Sequence, residues 1–136
     1  MKLGTDYIYL KRGWFWGFFG GDRLLILKDQ KIQTQVFGYR VQSGKVKLYQ
    51  SGLLLLKTGY QWNGASGPTI DTPATIEASA GHDGLTDLLI KKKLPKTELS
   101  NINSSLYVLL RKNKVNTLRS TSWLFAVETL GKFWMR

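Results

Sequence analysis

The sequence contains no cysteine and a single histidine, His82, in 136 residues. Disulfides and thiolate metal sites are thereby excluded, and so is a zinc site built from several nitrogen or sulfur ligands. Proline is scarce, with three residues, and acidic side chains are few, with 9 against 20 lysines and arginines. A run long enough to cross a membrane as a helix is also missing. The aromatic stretch 13–21 carries no charge but has only nine residues, against roughly 20 for a span. At the start, Met1 to Asp6 has no apolar stretch directly after Lys2, so no signal peptide is expected.

What is present suits one folded domain. The length is that of an ordinary single domain, and 43% hydrophobic with 12% aromatic residues is too apolar for disorder. The formal charge of +11 favours contact with something acidic: nucleic acid, an anionic lipid surface or an acidic partner protein. It equally suits a solvated basic surface, because charge alone carries no specificity. Its distribution is uneven. Between Thr58 and Ile90 there is no lysine or arginine, while Asp71, Glu77, Asp83 and Asp87 fall there together with His82. The +11 thus divides into −4 in this segment and +15 elsewhere.

The pattern along the chain predicts an α+β fold, with an antiparallel β meander over 1–57, an ordered Gly/Ser/Pro-rich loop over 58–72 and about three helices over 73–136. Strand candidates are Tyr7–Leu10, Arg23–Leu27, Ile32–Phe37, Tyr39–Val41, Lys45–Tyr49 and Leu53–Leu56, with turns at Ser43-Gly44 and Ser51-Gly52. Pro73 suits the first turn of a helix running to about Lys92. Leu94-Pro95 breaks the chain. Thr97 or Ser100 is a candidate cap for a second helix bearing Leu106, Leu109 and Leu110. A third helix is expected from about Thr117 to Trp134.

On the first helix, Ala74, Ala78, His82 and Leu85/Leu89 fall near one stripe, and Ser79 and Asp83 are an i,i+4 pair. Gly81 and Gly84 invite close approach by another segment, and the preceding loop 63–68 is the natural candidate. One reading makes this a catalytic site, with His82 as general base or acid, Asp83 or Asp71 orienting it, and Ser66 as nucleophile. The other makes His82 a buried imidazole that locks loop to helix, with Asn63, Gly64, Ala65, Pro68 and Asp71 as a binding or structural motif. A hard cation held by Asp71, Asp83 and Asp87 is a further option, but no metal or other cofactor is expected. Trp14, Trp16, Phe18 and Phe19, flanked by Lys11, Arg12 and Arg23, are either core-capping rings or candidate surface or membrane contacts.

Two stretches carry a resemblance. Gly59-Tyr60-Gln61-Trp62-Asn63-Gly64-Ala65-Ser66-Gly67-Pro68 and Ala78-Ser79-Ala80-Gly81-His82-Asp83-Gly84-Leu85 resemble the phage- and prophage-associated "domain of unknown function 1353" family. The resemblance covers roughly Lys45 to Trp134, with Gly64, Ala65, Ser66, Pro68, His82 and Asp83 matching its motifs. Asn63 stands where the family usually has Asp, and Thr86 where it usually has Tyr. The resemblance implies a phage-type protein of the host cytoplasm or the virion, and no activity, substrate or cofactor. Two functions are weighed: a non-enzymatic virion-associated or accessory protein, and a small hydrolase centred on His82 and Asp83. A filled surround for His82 favours the first. An open cleft with Ser66 or Asp83 in hydrogen-bond reach favours the second.

Overall fold

The computed structural model describes residues 7–11, 23–62 and 73–112. In these, seven strands precede two α-helices: β1 (Tyr7–Lys11), β2 (Arg23–Ile26), β3 (Gln30–Gln33), β4 (Val41–Ser43), β5 (Val46–Leu48), β6 (Leu53–Leu56), β7 (Gln61–Trp62), α1 (Pro73–Ile90) and α2 (Leu99–Lys112), with a 3-10 turn at Lys96–Glu98 leading into α2. The α+β class is as expected. The expected third helix, the loop from Asn63 to Asp71 and the rings of Trp14, Trp16, Phe18 and Phe19 lie outside the described residues.

The strands alternate buried and exposed residues, as a sheet with one covered face requires. Leu24 and Ile26 of β2, Ile32 of β3, Val46 and Leu48 of β5, and Leu54 and Leu56 of β6 all point into the core. Each such side chain contributes roughly 1.5–3 kcal/mol of burial. Pairing is antiparallel throughout, but the strands form two sheets, ordered β1-β2-β7 and β3-β6-β5-β4. Only β4, β5 and β6 run as a meander. β3 pairs with β6 instead of its chain neighbours, which gives the leucine strand β6 a hydrogen-bonded partner on each side.

The two sheets meet at a corner where the β2–β3 and β6–β7 connections run side by side. There Ile26 N donates to Tyr60 O and Gly59 N donates to Ile26 O, at 2.9 and 2.8 Å. Asp29 ties the corner by accepting from the Thr58 amide and hydroxyl, at 2.7 and 2.9 Å. These bonds hold its carboxyl below the ordinary range.

The strand expected at Ile32–Phe37 ends early, at Gln33. Thr34 turns both its amide and its hydroxyl onto Gly52 O, at 2.9 and 2.7 Å, and the Gln35 amide donates to Ser105 Oγ of α2 at 2.8 Å. Neither expected Ser/Thr cap starts the second helix. Pro95 opens the 3-10 turn without a side-chain cap, and the turn runs directly into α2.

α1 is buried on nearly every side because it lies between the second sheet and α2. A Cβ added at Gly84 would sit 2.9 Å from Leu56 Cδ2 and 3.1 Å from Leu54 Cδ2. One at Gly81 would meet Leu109 Cδ1 at 3.1 Å and Ile32 Cγ2 at 3.2 Å. Leucines of the sheet and of α2 therefore make the close approach that the two glycines permit. α1 ends in a Schellman arrangement: Lys93 N donates to Leu88 O and Lys92 N to Leu89 O, with Lys92 at φ 61 in the left-handed position usually held by glycine.

Candidate functional site

His82 sits on the side of α1 that faces α2. Its Nε2 lies 2.9 Å from Oδ1 of Asn103. An amide oxygen only accepts, so with this assignment Nε2 carries the hydrogen and donates it. Asn103 is 1% exposed and the His82 side chain 17%. Both residues interrupt otherwise apolar stripes: Ala78, His82, Leu85 and Leu89 on α1, and Leu99, Asn103, Leu106 and Leu110 on α2. Two polar groups meeting between packed helices fix their register, since a slip of either would leave the other buried without its partner.

The expected orientation of His82 by Asp83 is looser than a hydrogen bond. Nδ1 and Asp83 Oδ1 are 3.8 Å apart, and the Asp83 side chain is 35% exposed. A Ser-His-Asp relay needs Nε2 free to take a nucleophile's proton while Nδ1–H is held by the carboxylate. Here Nε2 is engaged with Asn103. Asn63, Gly64, Ala65, Ser66, Pro68 and Asp71 fall outside the described residues. No three His, Asp or Glu side chains among the described residues are grouped to hold a metal ion.

Two further contacts clamp β7 and the residue before it onto α1. Trp62 Nε1 donates to Ser79 Oγ at 3.1 Å, and Ser79 Oγ in turn donates to Ile76 O at 3.0 Å. The Tyr60 hydroxyl donates to Asp87 Oδ2 at 2.8 Å. The Tyr60 and Trp62 rings stack with centroids 6.3 Å apart, and Tyr7 meets Trp62 edge-on at 6.4 Å. Burial pushes the Asp87 carboxyl above its ordinary range. The charge of Asp83 adds to this, while the Tyr60 hydroxyl and Lys91 oppose it. Burial also pushes the Tyr60 hydroxyl up, reinforced by the charges of Asp83 and Asp87.

Tyr60, Trp62 and Asn103 were not singled out from the sequence, Ser79 was noted only as the i,i+4 neighbour of Asp83, and Asp87 was considered only as a cation ligand. A signal was available for Asn103, whose polar side chain breaks the Leu99, Leu106, Leu110 stripe. For Tyr60 and Trp62 the signal was two aromatics at i,i+2 just before the motif loop.

Beside the Tyr60–Asp87 pair a cleft of about 250 Å³ opens between the β4–β5 turn and the end of α1, with Lys45 and Lys91 in its lining. His82 is not among its lining residues. Compared with family models, curated proteins and solved structures, the chain matches none.

Proposed function

We propose that this is a non-enzymatic, phage-type protein, virion-associated or accessory, whose cationic surface contacts an acidic partner. The observation that carries the reading is the hydrogen bond from His82 Nε2 to the buried Asn103. It uses the one imidazole of the chain to lock two helices, and it engages the Nε2 that a Ser-His-Asp relay would need. Tyr60–Asp87 and Trp62–Ser79 support the same view, because they spend the polar groups of the acidic segment on internal contacts. The +15 carried by the rest of the chain is then the feature left to meet a partner.

The phage-type assignment, with a place in the host cytoplasm or the virion, rests on the motif resemblance at Gly59–Pro68 and Ala78–Leu85. In this reading the Gly/Ser/Pro loop is ordered against α1, and Thr117–Trp134 adds a third helix.

The test is binding to a panel of polyanions: an oligonucleotide, vesicles rich in phosphatidylglycerol, and an acidic polypeptide. Affinity for at least one should fall linearly with the logarithm of salt concentration, as counterion release requires. Failure to bind any of them at low salt, or a flat salt response, contradicts the proposal. Recovery of the protein with purified virions would assign it to the particle.

A further inference from the structure

Lys45 and Lys91 come from separate elements and line one concavity. Lys45 is in the turn between β4 and β5, and Lys91 is the residue after α1. Both line the 250 Å³ cleft, together with Gly59, Tyr60 and Asp87. The stem of Lys45 is laid across Gly59. A Cβ built on that glycine would be 2.8 Å from Lys45 Cε and 3.6 Å from its Nζ. Gly59 also has φ +96, which a larger residue adopts only with strain. The glycine therefore provides the lane in which the Lys45 side chain lies, so its ammonium is partly fixed before any ligand arrives. Fixing it beforehand reduces the side-chain ordering cost of binding.

The cleft lining also includes one carboxylate, Asp87, with Oδ2 occupied by the Tyr60 hydroxyl. Two cations against one anion leave the cleft with a net positive charge, which suits a singly charged anion. The cleft is larger than a carboxylate needs and has room for a phosphate with part of its sugar. The cationic line continues beyond it. Lys57, whose amide donates to Lys45 O at 2.8 Å, adjoins Lys45, and Lys92 and Lys93 follow Lys91 in the chain; all three are exposed. A single seated phosphate flanked by further lysines is the pattern of a polymer with regularly repeated phosphates. We propose that this cleft binds a backbone phosphodiester of a nucleic acid, with Lys45 and Lys91 flanking the phosphate. The inference builds on the proposed role of the cationic surface and names its partner and its contact point.

The test compares Lys45→Gln/Lys91→Gln with a control of equal charge loss, Lys28→Gln/Lys96→Gln, whose lysines are exposed and outside the cleft. Glutamine keeps much of the aliphatic stem and removes only the charge. Binding of a fluorescent single-stranded oligonucleotide of roughly 16 nucleotides is measured across a salt series, with circular dichroism verifying the fold of each variant. The cleft variant should lose about tenfold or more in affinity, and its log–log salt slope should shrink by roughly 1.4, the release expected from two single-strand phosphate contacts. The control should lose about threefold or less, the cost of general field weakening. Equal losses in both variants overturn the inference. So does a wild-type protein that binds phosphatidylglycerol vesicles or acidic polypeptide but not the oligonucleotide, an outcome that leaves the acidic-partner reading standing. Binding to no polyanion overturns both.

Discussion

Replacing His82 by alanine removes a hydrogen bond of 2.9 Å to an amide that is 1% exposed, and the cost can be assembled from its parts. The net bond is worth about 1 kcal/mol, and leaving the Asn103 oxygen short of a partner adds roughly 1–3 kcal/mol. The lost imidazole packing is partly offset by its residual exposure of 17%. The expected loss is about 2–3 kcal/mol, or roughly 6–12 °C in Tm for a domain of this size. Urea denaturation of His82→Ala, Asn103→Ala and the double variant closes a double-mutant cycle. The expected coupling is about 1 kcal/mol or more. His82→Leu with Asn103→Leu should cost less than the sum of its two single variants, because replacing both members of a buried polar pair leaves neither orphaned. Single losses that add within about 0.5 kcal/mol would refute the lock. So would a His82→Ala protein of unchanged stability.

Other consequences follow from neighbouring contacts. Gly84→Ala improves helix propensity by up to about 1 kcal/mol, but it forces a Cβ to 2.9 Å from Leu56 Cδ2 in a full core. Overpacking of about 1–3 kcal/mol should win, and a rise in the urea midpoint would contradict that. Lys92→Gly relieves the left-handed φ of 61 and should stabilise by about 0.5–1 kcal/mol; unchanged or lower stability would count against the Schellman ending. Ser79→Ala orphans the indole N–H of Trp62, which is 3% exposed; a loss of about 1–3 kcal/mol is expected, and a neutral effect by denaturant titration would argue against the clamp.

The Asp87 carboxyl has its folded pKa raised by burial, so the stability it confers is full below the unfolded value near 4. That stability is lost as pH rises through the folded value. Asp87→Asn, whose amide oxygen still accepts from Tyr60, should remove this downward component from the stability–pH curve. Parallel curves for the two proteins would contradict the assignment.

The sequence made some elements legible and hid others, for physical reasons visible in particular residues. Pro73 marks the first position of α1 because its ring is pre-set for a helix N-terminus, and the alternation of Val46 and Leu48 marks β5. The end of α1 was less plain, because a lysine occupies the left-handed site where glycine would have signalled the stop. β7 was read as loop. Its two residues become a strand only by pairing with Leu24 and Leu25, 38 and 36 positions earlier in the chain, which no local pattern reports. The shortening of β3 depends on Gly52 O and Ser105 Oγ, both far along the sequence.

At the candidate site, the special position of His82 could be read from its place on an apolar stripe. Its partner could not, because Asn103 reaches it across a helix interface and not along a helix. Asp83, the sequence neighbour, was the natural candidate, yet it stands at 3.8 Å with its side chain one-third exposed.

The central claim is that the His82–Asn103 contact is internal scaffolding and that binding belongs to the lysine-lined surface. Amide chemical-shift mapping of the isotope-labelled full chain during titration with the oligonucleotide tests this most directly. The account predicts that Gly44, Lys45, Gly59 and Lys91 shift together and saturably, while His82, Asp83 and Asn103 stay in place. Shifts concentrated at His82, Asp83 and Asn103, with the lysine cleft silent, would contradict it.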